Sequence, residues 1–310
     1  MPLSKKYGIY HKGFDTTSAF EFYESIRHQL PDAKFPDTSI AISDLEEIID
    51  EIDVFAFDAY GVLNIGDNPI PGAAECLEKL RAIGKQVFIL TNSASSPPEQ
   101  NKNKFARLGI DIPEENIISS RMAAQSWIAK QGISRWGVMA KMDAQIEQLA
   151  THTIRLNLDP YSYSSVDGFI LLAASQWNEE QQKLLDASLI EHPRPIVVAN
   201  PDVAAPMEGY FSTNPGFIGH RILARGQSPV TFHGKPFPSV FELIETRLGK
   251  MQQRSRIAMV GDSLHTDILG GAARGWKTVL VTNHGLFSGH PVSPFLQQSG
   301  IVPDYQIPAL

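Results

Sequence analysis

Acidic, hydroxyl and basic side chains follow apolar runs of the sequence at points where buried strands are expected to end. Asp58 follows the run VFAF, and Thr91 ends the run QVFILT. Asp262 and Asp267 lie in the segment GDSLHTD directly after IAMV, and Lys235 lies in HGKPFP. Ligands bind open α/β sheets outside the carboxyl ends of the strands. Asp58 is therefore our candidate for the central chemical group.

The two acids of the segment GDSLHTD favour a cation site. A bare carboxylate at a sheet edge loses hydration without gaining a partner, so Asp262 has no evident structural role. A cation shared by Asp58 and Asp262 would satisfy both, and hard oxygen ligands completed by water favour Mg²⁺. Asp267 also has a structural interpretation, as the N-cap of the helix ILGGAAR.

Thr91 and Lys235 carry weaker signals on their own. A hydroxyl at a strand end, with the N–H groups of the next turn, can hold an anionic oxygen, but threonine also serves as a helix N-cap. A lysine in an isolated Gly-Lys-Pro is most often a solvated surface residue. Both interpretations of each residue stay open at this point.

The elements that must position these residues form two α/β patterns. Strands at Val54–Asp58 and Gln86–Thr91, with a helix between them, suit a right-handed βαβ unit. A second pattern follows, which includes a predicted helix around Gln145, and the first pattern resumes near residue 234. We predict an α/β fold with a parallel-sheet core at about 40–133 and 230–310, an inserted smaller α/β domain at about 134–229, and an N-terminal lead-in at 1–40.

Composition disfavours several classes of function. The chain has 310 residues, a formal net charge of -7 and one cysteine, Cys76, which cannot form an internal disulfide. An acidic chain without a basic tail is a poor ligand for nucleic acid. No run reaches the ~18 apolar residues of a membrane helix, and the N-terminus lacks the apolar region of a signal peptide. We therefore expect a cytoplasmic protein that binds neither nucleic acid nor membranes.

The order of the motifs resembles that of the haloacid dehalogenase (HAD) superfamily over about residues 50–306. Only 33 residues separate Asp58 from Thr91, whereas 144 separate Thr91 from Lys235. This long second gap is similar to class IIA, the p-nitrophenylphosphatase-like and nucleotide-phosphatase-like enzymes with a C2 cap domain. The segments ILTNSAS, ANPD, NPGFIGHRI and NHGLF are similar to that branch too. The resemblance implies a Rossmann-like HAD core whose inserted domain is the cap.

The resemblance also implies a phosphatase that acts on a small phosphorylated metabolite. In such enzymes the residue matching Asp58 attacks a phosphate monoester and forms an aspartyl phosphate, which water then hydrolyses. Lys235 and Thr91 would share with Mg²⁺ the neutralisation of charge on the phosphoryl oxygens. The residues implied around the metal are Asp58, the backbone carbonyl of Tyr60, Asp262, and Asp267, which would hold the metal shell or Lys235.

Substrate contacts and assembly are expected from the resemblance as well. Closure of a cap excludes water and completes the pocket, so parts of the cap should lie near the active site. The segment Ser93–Ser95 lacks the Asn and Arg with which some members orient the substrate. Caps of this class often pair, which implies a homodimer. The residues we expect to bind the substrate are Asn92, Ser93, Asn200 and Asp202.

The sequence departs from the phosphatases of this superfamily two residues after Asp58. They carry an aspartate there as general acid and base, whereas this chain has Tyr60. Tyrosine, with a pKa near ~10, can donate a proton but is a poor base at neutral pH. General acid–base catalysis is worth about 10²–10⁴ in rate, so we expect slow turnover with Tyr60 as the proton donor.

Two other functions stay open from the sequence. The segment DAYG resembles the opening of true 2-haloacid dehalogenases, which carry that tyrosine. Those enzymes place the cap between the first two motifs, where this chain has no room for one. They also work without metal, whereas this chain keeps both Asp262 and Asp267. The other alternative is a protein that kept Mg²⁺ and a phosphorylated ligand but lost turnover.

Overall fold

The computed structural model describes residues 14–207 and 210–310, so the first part of the predicted lead-in at 1–40 lies outside the described residues. Within these ranges the chain forms a seven-stranded and a five-stranded sheet, both parallel, and two short hairpins. Parallel sheets with helices packed on them confirm the predicted α/β fold. None of the described helices is long and apolar enough to cross a membrane.

The strand Val54–Phe57, called the central strand below because Asp58 follows it, is the fifth in the order of the seven-stranded sheet, and its side chains are all buried. Strands buried on both faces are nearly continuous apolar runs, which is why VFAF, VFIL and IAMV mark three of them in the sequence. In sheet order the strands are Ile40–Ala41, Tyr305–Ile307, Lys277–Val281, Ile257–Gly261, Val54–Phe57, Gln86–Thr91 and Ile117–Ser119.

The register of the central strand and its two neighbours brings the carboxyl ends of the three strands together. Phe57 lies opposite Val260 of one neighbouring strand and Ile89 of the other, and all these pairings are parallel. The chain leaves the central strand for the neighbour on one side and later returns to the neighbour on the other side. This edge is therefore a topological switch point, where open α/β sheets bind their ligands.

The five-stranded sheet forms a second α/β unit. Its last strand, Val230–Phe232, pairs in parallel with Ile196–Val198, although the sequence pattern assigned residues from 230 onward to the core. We therefore propose the same core and inserted domain, with the second boundary moved to follow Phe232. In sheet order the strands are Val230–Phe232, Ile196–Val198, Gly168–Leu171, Trp136–Met139 and Thr153–Arg155.

Helices and hairpins complete both units. The hairpins are Ala204–Met207 with Tyr210–Thr213, and Asn64–Ile65 with Asn68–Pro69. The α-helices in the described residues are Thr16–Ser25, Ala73–Ala82, Pro98–Arg107, Ser120–Ile128, Tyr161–Ser164, Glu179–Glu191, Pro215–Arg225, Pro238–Leu248, Leu269–Ala273 and Ser293–Ser299. The 3₁₀ turns are Arg27–Gln29, Leu45–Ile48, Glu114–Asn116, Ile146–Gln148, Arg254–Arg256 and Gly285–Phe287, and Leu264–Ile268 is a π-helical turn.

The buried guanidinium of Arg121 joins the two units. It donates to the carbonyl of Ser95 at 3.1 Å, in the loop after a core strand, and to those of Ala144 and Gln145 at 2.8 Å each, in the inserted unit. Gln145 has a left-handed φ of 43° and its carbonyl accepts from Arg121. The helix predicted around Gln145 is therefore wrong, because only the 3₁₀ turn Ile146–Gln148 forms there.

Candidate active site

The carboxylate of Asp58 lies just past the end of the central strand. The N–H of Asp58 donates to the carbonyl of Val260 at 2.8 Å, and its Oδ1 accepts from the Nζ of Lys235. The same Nζ pairs with Oδ1 of Asp267 at 2.8 Å and donates to the carbonyl of Leu90 at 2.9 Å. Lys235 is thus a buried cation, and the interpretation as a solvated surface residue is wrong.

Asp262 lies directly after the neighbouring strand and accepts two hydrogen bonds. Its Oδ2 accepts from the N–H of Leu286 at 2.7 Å, and its Oδ1 accepts from the hydroxyl of Ser263 at 3.0 Å. The N–H of Ser263 donates to Oδ2 of Asp267 at 3.1 Å. Ser263 is the N-cap of the turn Leu264–Ile268, and Asp267 lies within that turn, so the prediction of Asp267 as N-cap is wrong.

Two glycines allow the backbone to approach Asp262. Gly61 and Gly285 have φ angles of +81° and +72°, in the left-handed region that favours glycine. A Cβ on Gly285 would lie 1.8 Å from Oδ2 of Asp262, and a Cβ on Gly61 would lie 2.5 Å from the same atom. Only glycine therefore allows the loops DAYG and NHGLF to meet at this carboxylate.

Three buried carboxylates concentrate negative charge at this edge. Oxygens of Asp58, Asp262 and Asp267 lie within 4.8 Å of one another. Burial raises the pKa of Asp262 well above its usual range, and the carboxylates of Asp267 and Asp58 raise it further. Burial also raises the pKa of the Asp267 carboxyl. This set of hard oxygen donors fits a divalent cation such as Mg²⁺, whose charge would offset their repulsion.

Lys235 offsets part of that charge. Burial by itself lowers the pKa of the Lys235 ammonium, but the carboxylates of Asp267 and Asp58 outweigh burial and raise it. The side chain therefore stays charged at neutral pH. One ammonium does not balance three ionised carboxylates, so a bound cation would favour the ionised form of all three.

Asn92 connects Lys235 to the inserted unit. Its Oδ1 accepts from the N–H of Lys235 at 2.7 Å, and its Nδ2 donates to the carbonyl of Lys235 at 2.9 Å. The same Nδ2 donates to Oδ1 of Asp202 at 2.7 Å, and the N–H of Asp202 donates to Oδ1 of Asn200 at 3.0 Å. Burial raises the pKa of Asp202 to about 7, although the hydrogen bond from Asn92 opposes the shift. Three of the four residues expected to bind substrate thus form one network with Lys235.

Thr91 and Ser93 form the turn after their strand. Thr91 is buried, and its Oγ1 accepts from the N–H of Ser93 at 3.2 Å, while Ser93 itself is exposed. Such a hydroxyl–backbone contact fixes the turn locally. The contact gives Thr91 a structural role beside its predicted contact with an anionic oxygen.

Tyr60 contacts the hairpin beside the site. Its hydroxyl accepts from the N–H of Gly66 at 2.6 Å, and its backbone forms a bridge with Asn64. The ring therefore connects the DAYG turn to the strands Asn64–Ile65 and Asn68–Pro69. This contact gives Tyr60 a structural role that the sequence did not indicate, beside the predicted proton transfer.

Residues distant in the sequence hold the site from outside its motifs. His265 is fully buried, and its Nε2 lies 2.6 Å from Oε1 of Glu24, 241 positions away in the chain. The hydroxyl of Tyr23 accepts from the N–H of Val203 at 3.0 Å. Sequence reasoning missed Tyr23 and Glu24, because no local pattern connects residues so far apart.

Comparisons with known proteins agree with this fold. A family model described as haloacid dehalogenase-like hydrolase matches residues 55–152, and one described as HAD-hydrolase-like matches residues 232–304. The chain is 26% identical over 277 residues to the chloroplastic phosphoglycolate phosphatase 1A of Arabidopsis thaliana, covering 77% of this chain and 71% of the relative. It is 28% identical over 227 residues to the ribonucleotide monophosphatase NagD of Escherichia coli, covering 72% of this chain and 85% of the relative.

The fold is also similar to those of solved structures of HAD-superfamily proteins. The crystal structure of a possible sugar phosphatase of the HAD superfamily from Cytophaga hutchinsonii is 25% identical, with a TM-score of 0.75 over 87% of this chain and 98% of the other. The fold, the acidic edge and these relatives define a hydrolase of the phosphatase-like kind. The chain belongs to the haloacid dehalogenase superfamily and to its class IIA branch.

We predict that Gly285→Ala destabilises the fold through Asp262. The new Cβ would overlap the carboxylate, in addition to the cost of a left-handed residue, so we expect the free energy of unfolding to fall by about 2–4 kcal/mol. Gly289→Ala is the matched control, since Gly289 has a φ of +77° and nothing within 4 Å of an added Cβ. Urea unfolding with EDTA measures both, and equal losses would contradict the proposed close packing.

The raised pKa of Asp202 predicts a dependence of stability on pH. A carboxyl whose pKa rises from 3.8 to about 7 keeps its proton in the folded state over that range, so its contribution to stability falls as pH rises. Asp202→Asn retains an oxygen acceptor for Asn92 and cannot ionise. We expect this variant to gain on the wild type between pH 4 and 7, by at most about 1.4 kcal/mol per pH unit.

Urea unfolding at several pH values, with EDTA present, measures this difference. Asp143→Asn is the control, because Asp143 is exposed. A difference between Asp202→Asn and the wild type that stays constant from pH 4 to pH 8 would contradict the prediction.

Proposed function

We propose that the chain is a Mg²⁺-dependent phosphatase that hydrolyses a small phosphorylated metabolite with Asp58 as nucleophile. The observation that carries the proposal is the buried carboxylate of Asp58 at the carboxyl end of the central strand, bonded to Lys235 and close to Asp262 and Asp267. This arrangement offers a nucleophile, a fixed positive charge and oxygen ligands for a cation at one edge. A cytoplasmic location and a homodimer stay predictions.

The reaction would have two steps. A carboxylate oxygen of Asp58 attacks phosphorus, and the bond from phosphorus to the alcohol oxygen breaks, which gives an aspartyl phosphate and the alcohol after protonation. Water then attacks phosphorus, which releases inorganic phosphate and restores the Asp58 carboxylate. Lys235 lies where positive charge can stabilise the phosphoryl oxygens, and Thr91 would add a hydroxyl donor.

The carboxylates of Asp58, Asp262 and Asp267 support a Mg²⁺ site, and the backbone carbonyl of Tyr60 is the further ligand we propose. When bound, Mg²⁺ supplies positive charge to the phosphoryl oxygens as a Lewis acid. Asp267 contacts Lys235 as well, so it would hold the lysine and the metal shell together. The N–H of Leu286 and the hydroxyl of Ser263 orient Asp262 for this role.

Asn92, Ser93, Asn200 and Asp202 are the residues we propose around the substrate. The hydrogen bond between Asn92 and Asp202 joins the core loop to the inserted unit, which supports a cap role for that unit. The phosphatases of phosphoglycolate, sugar phosphates and ribonucleotides among the relatives support small phosphorylated metabolites as the substrate class. A cap that closes over the phosphoryl group would exclude water from the first step.

Hydrolysis of p-nitrophenyl phosphate tests the proposal. We expect steady-state release of p-nitrophenol that requires Mg²⁺ and is lost with EDTA, because charge neutralisation at the phosphoryl group depends on the cation. Asp58→Asn should lower kcat by at least about 10³-fold, since it removes the nucleophile. Asp143→Asn, an exposed site, is the matched control and should leave kcat unchanged.

Other outcomes separate the alternatives. If no phosphate ester is hydrolysed but a phosphorylated ligand binds only with Mg²⁺, the protein is a binder that has lost turnover. Metal-independent release of chloride from 2-chloropropionate would identify a dehalogenase. The cluster Asp58, Asp262 and Asp267 disfavours that chemistry, because halide displacement needs no cation at the nucleophile.

We predict that Tyr60→Asp increases turnover. Aspartate at this position can serve as both acid and base near neutral pH, so we expect kcat for p-nitrophenyl phosphate to rise by about 10²-fold or more. Tyr60→Phe is the control, because it loses the Gly66 hydrogen bond without gaining an acid. Equal kcat in Tyr60→Asp and Tyr60→Phe would rule out proton transfer at residue 60 as the limit on turnover.

A further inference from the structure

The N-terminal helix Thr16–Ser25 belongs to neither sheet and packs against both units. On the side of the core, the ring of Phe20 lies 5.3 Å from that of His265 in an edge-on contact. On the side of the inserted unit, the ring of Phe22 lies 4.9 Å from that of Phe217. All four side chains are fully or almost fully buried. The helix therefore fills the space between the two units.

Tyr23 connects this helix to the loop that carries Asp202. Its hydroxyl is buried and accepts from the N–H of Val203 at 3.0 Å. Val203 directly follows Asp202, whose carboxylate accepts from Asn92, and Asn92 in turn holds both backbone groups of Lys235. A short series of hydrogen bonds thus extends from the N-terminal helix to the candidate catalytic lysine.

Glu24 connects the same helix to the loop that carries two of the carboxylates. Its Oε1 lies 2.6 Å from Nε2 of His265, which occupies the chain between Asp262 and Asp267. The ring of His265 also stacks on that of Tyr23, with centroids 4.9 Å apart and an angle of 7° between the planes. Adjacent residues of one helix therefore hold loops from both units.

We propose that the N-terminal helix is a third structural part of the active site, in which Tyr23 and Glu24 are positioning residues. Tyr23 holds the loop of Asp202 over the site, and Glu24, through His265, holds the loop of Asp262 and Asp267. This inference rests on the proposed function, because it assigns the two loops to substrate and metal binding. Neither residue touches the reacting atoms.

A helix that contributes only apolar packing would not respond to the loss of the Tyr23 hydroxyl. Tyr23→Phe keeps the ring against His265 and removes only the acceptor for the Val203 N–H. We expect faster hydrogen–deuterium exchange at the Val203 amide and a KM for p-nitrophenyl phosphate raised about 2–10-fold, with little change in kcat. Tyr161→Phe is the matched control, because Tyr161 is an exposed tyrosine of the inserted unit.

The Glu24 variants test the second contact. Glu24→Ala leaves the buried Nε2 of His265 without this partner, so we expect the affinity for Mg²⁺, measured by titration calorimetry with MgCl₂ alone, to fall about tenfold. Glu24→Gln keeps an oxygen acceptor and should restore most of that affinity. Rescue by glutamine separates positioning from a general loss of packing.

The exchange and calorimetric measurements do not depend on turnover. If the wild type hydrolyses no phosphate ester, the proposed function fails, while amide exchange and Mg²⁺ titration still decide the role of the helix. Unchanged exchange at Val203 in Tyr23→Phe, or equal Mg²⁺ affinity in Glu24→Ala and the wild type, would overturn the inference.

Discussion

The concentration of negative charge at the end of the central strand is the constraint on which this site depends. Three carboxylates lie within 4.8 Å of one another, largely removed from water, where like charges repel strongly. Lys235 offsets part of that repulsion by contacting Asp58 and Asp267. The N–H of Leu286 offsets a further part by donating a hydrogen bond to Asp262. Such an arrangement persists only because the surrounding fold stabilises it, which is common at functional sites and uncommon elsewhere.

The sequence was sufficient to predict the core because buried parallel strands leave a local pattern. Each apolar run ends at a polar residue, and the parallel arrangement brings those ends to one edge, so Asp58, Thr91 and Asp262 could be grouped before any geometry was known. Residues whose conformation depends on distant partners could not be predicted in this way. Aspartate is a residue type typical of helix N-caps, but Asp267 pairs with Lys235 instead. Gln145 lies in a segment whose pattern predicts a helix, but its carbonyl accepts from Arg121.

Tyr60 illustrates how one position can serve two requirements. The backbone at this position belongs to the turn that brings Gly61 against Asp262. The side chain meets a second requirement, since its hydroxyl accepts from the Gly66 N–H of the neighbouring hairpin. A phenol in this role stabilises the loop beside the nucleophile, whereas a carboxylate would place a further acidic group two residues from Asp58. The chain thus carries a tyrosine that supports the turn at the position where the phosphatases it resembles carry their acid and base.

The hydrogen bonds of Asn92 connect the arrangement of the two units to the charge at the site. Asn92 holds the backbone of Lys235 on one side and Asp202 on the other, so a displacement of the inserted unit acts on the lysine through one amide group. The Nζ of Lys235 can balance Asp58 and Asp267 only while its backbone stays where Asn92 holds it. Because Tyr23 fixes the adjacent Val203 N–H, the N-terminal helix limits that displacement. The balance of charge in the core therefore depends on contacts between residues that are distant in the sequence. Asn92 and Lys235, for example, are 143 positions apart.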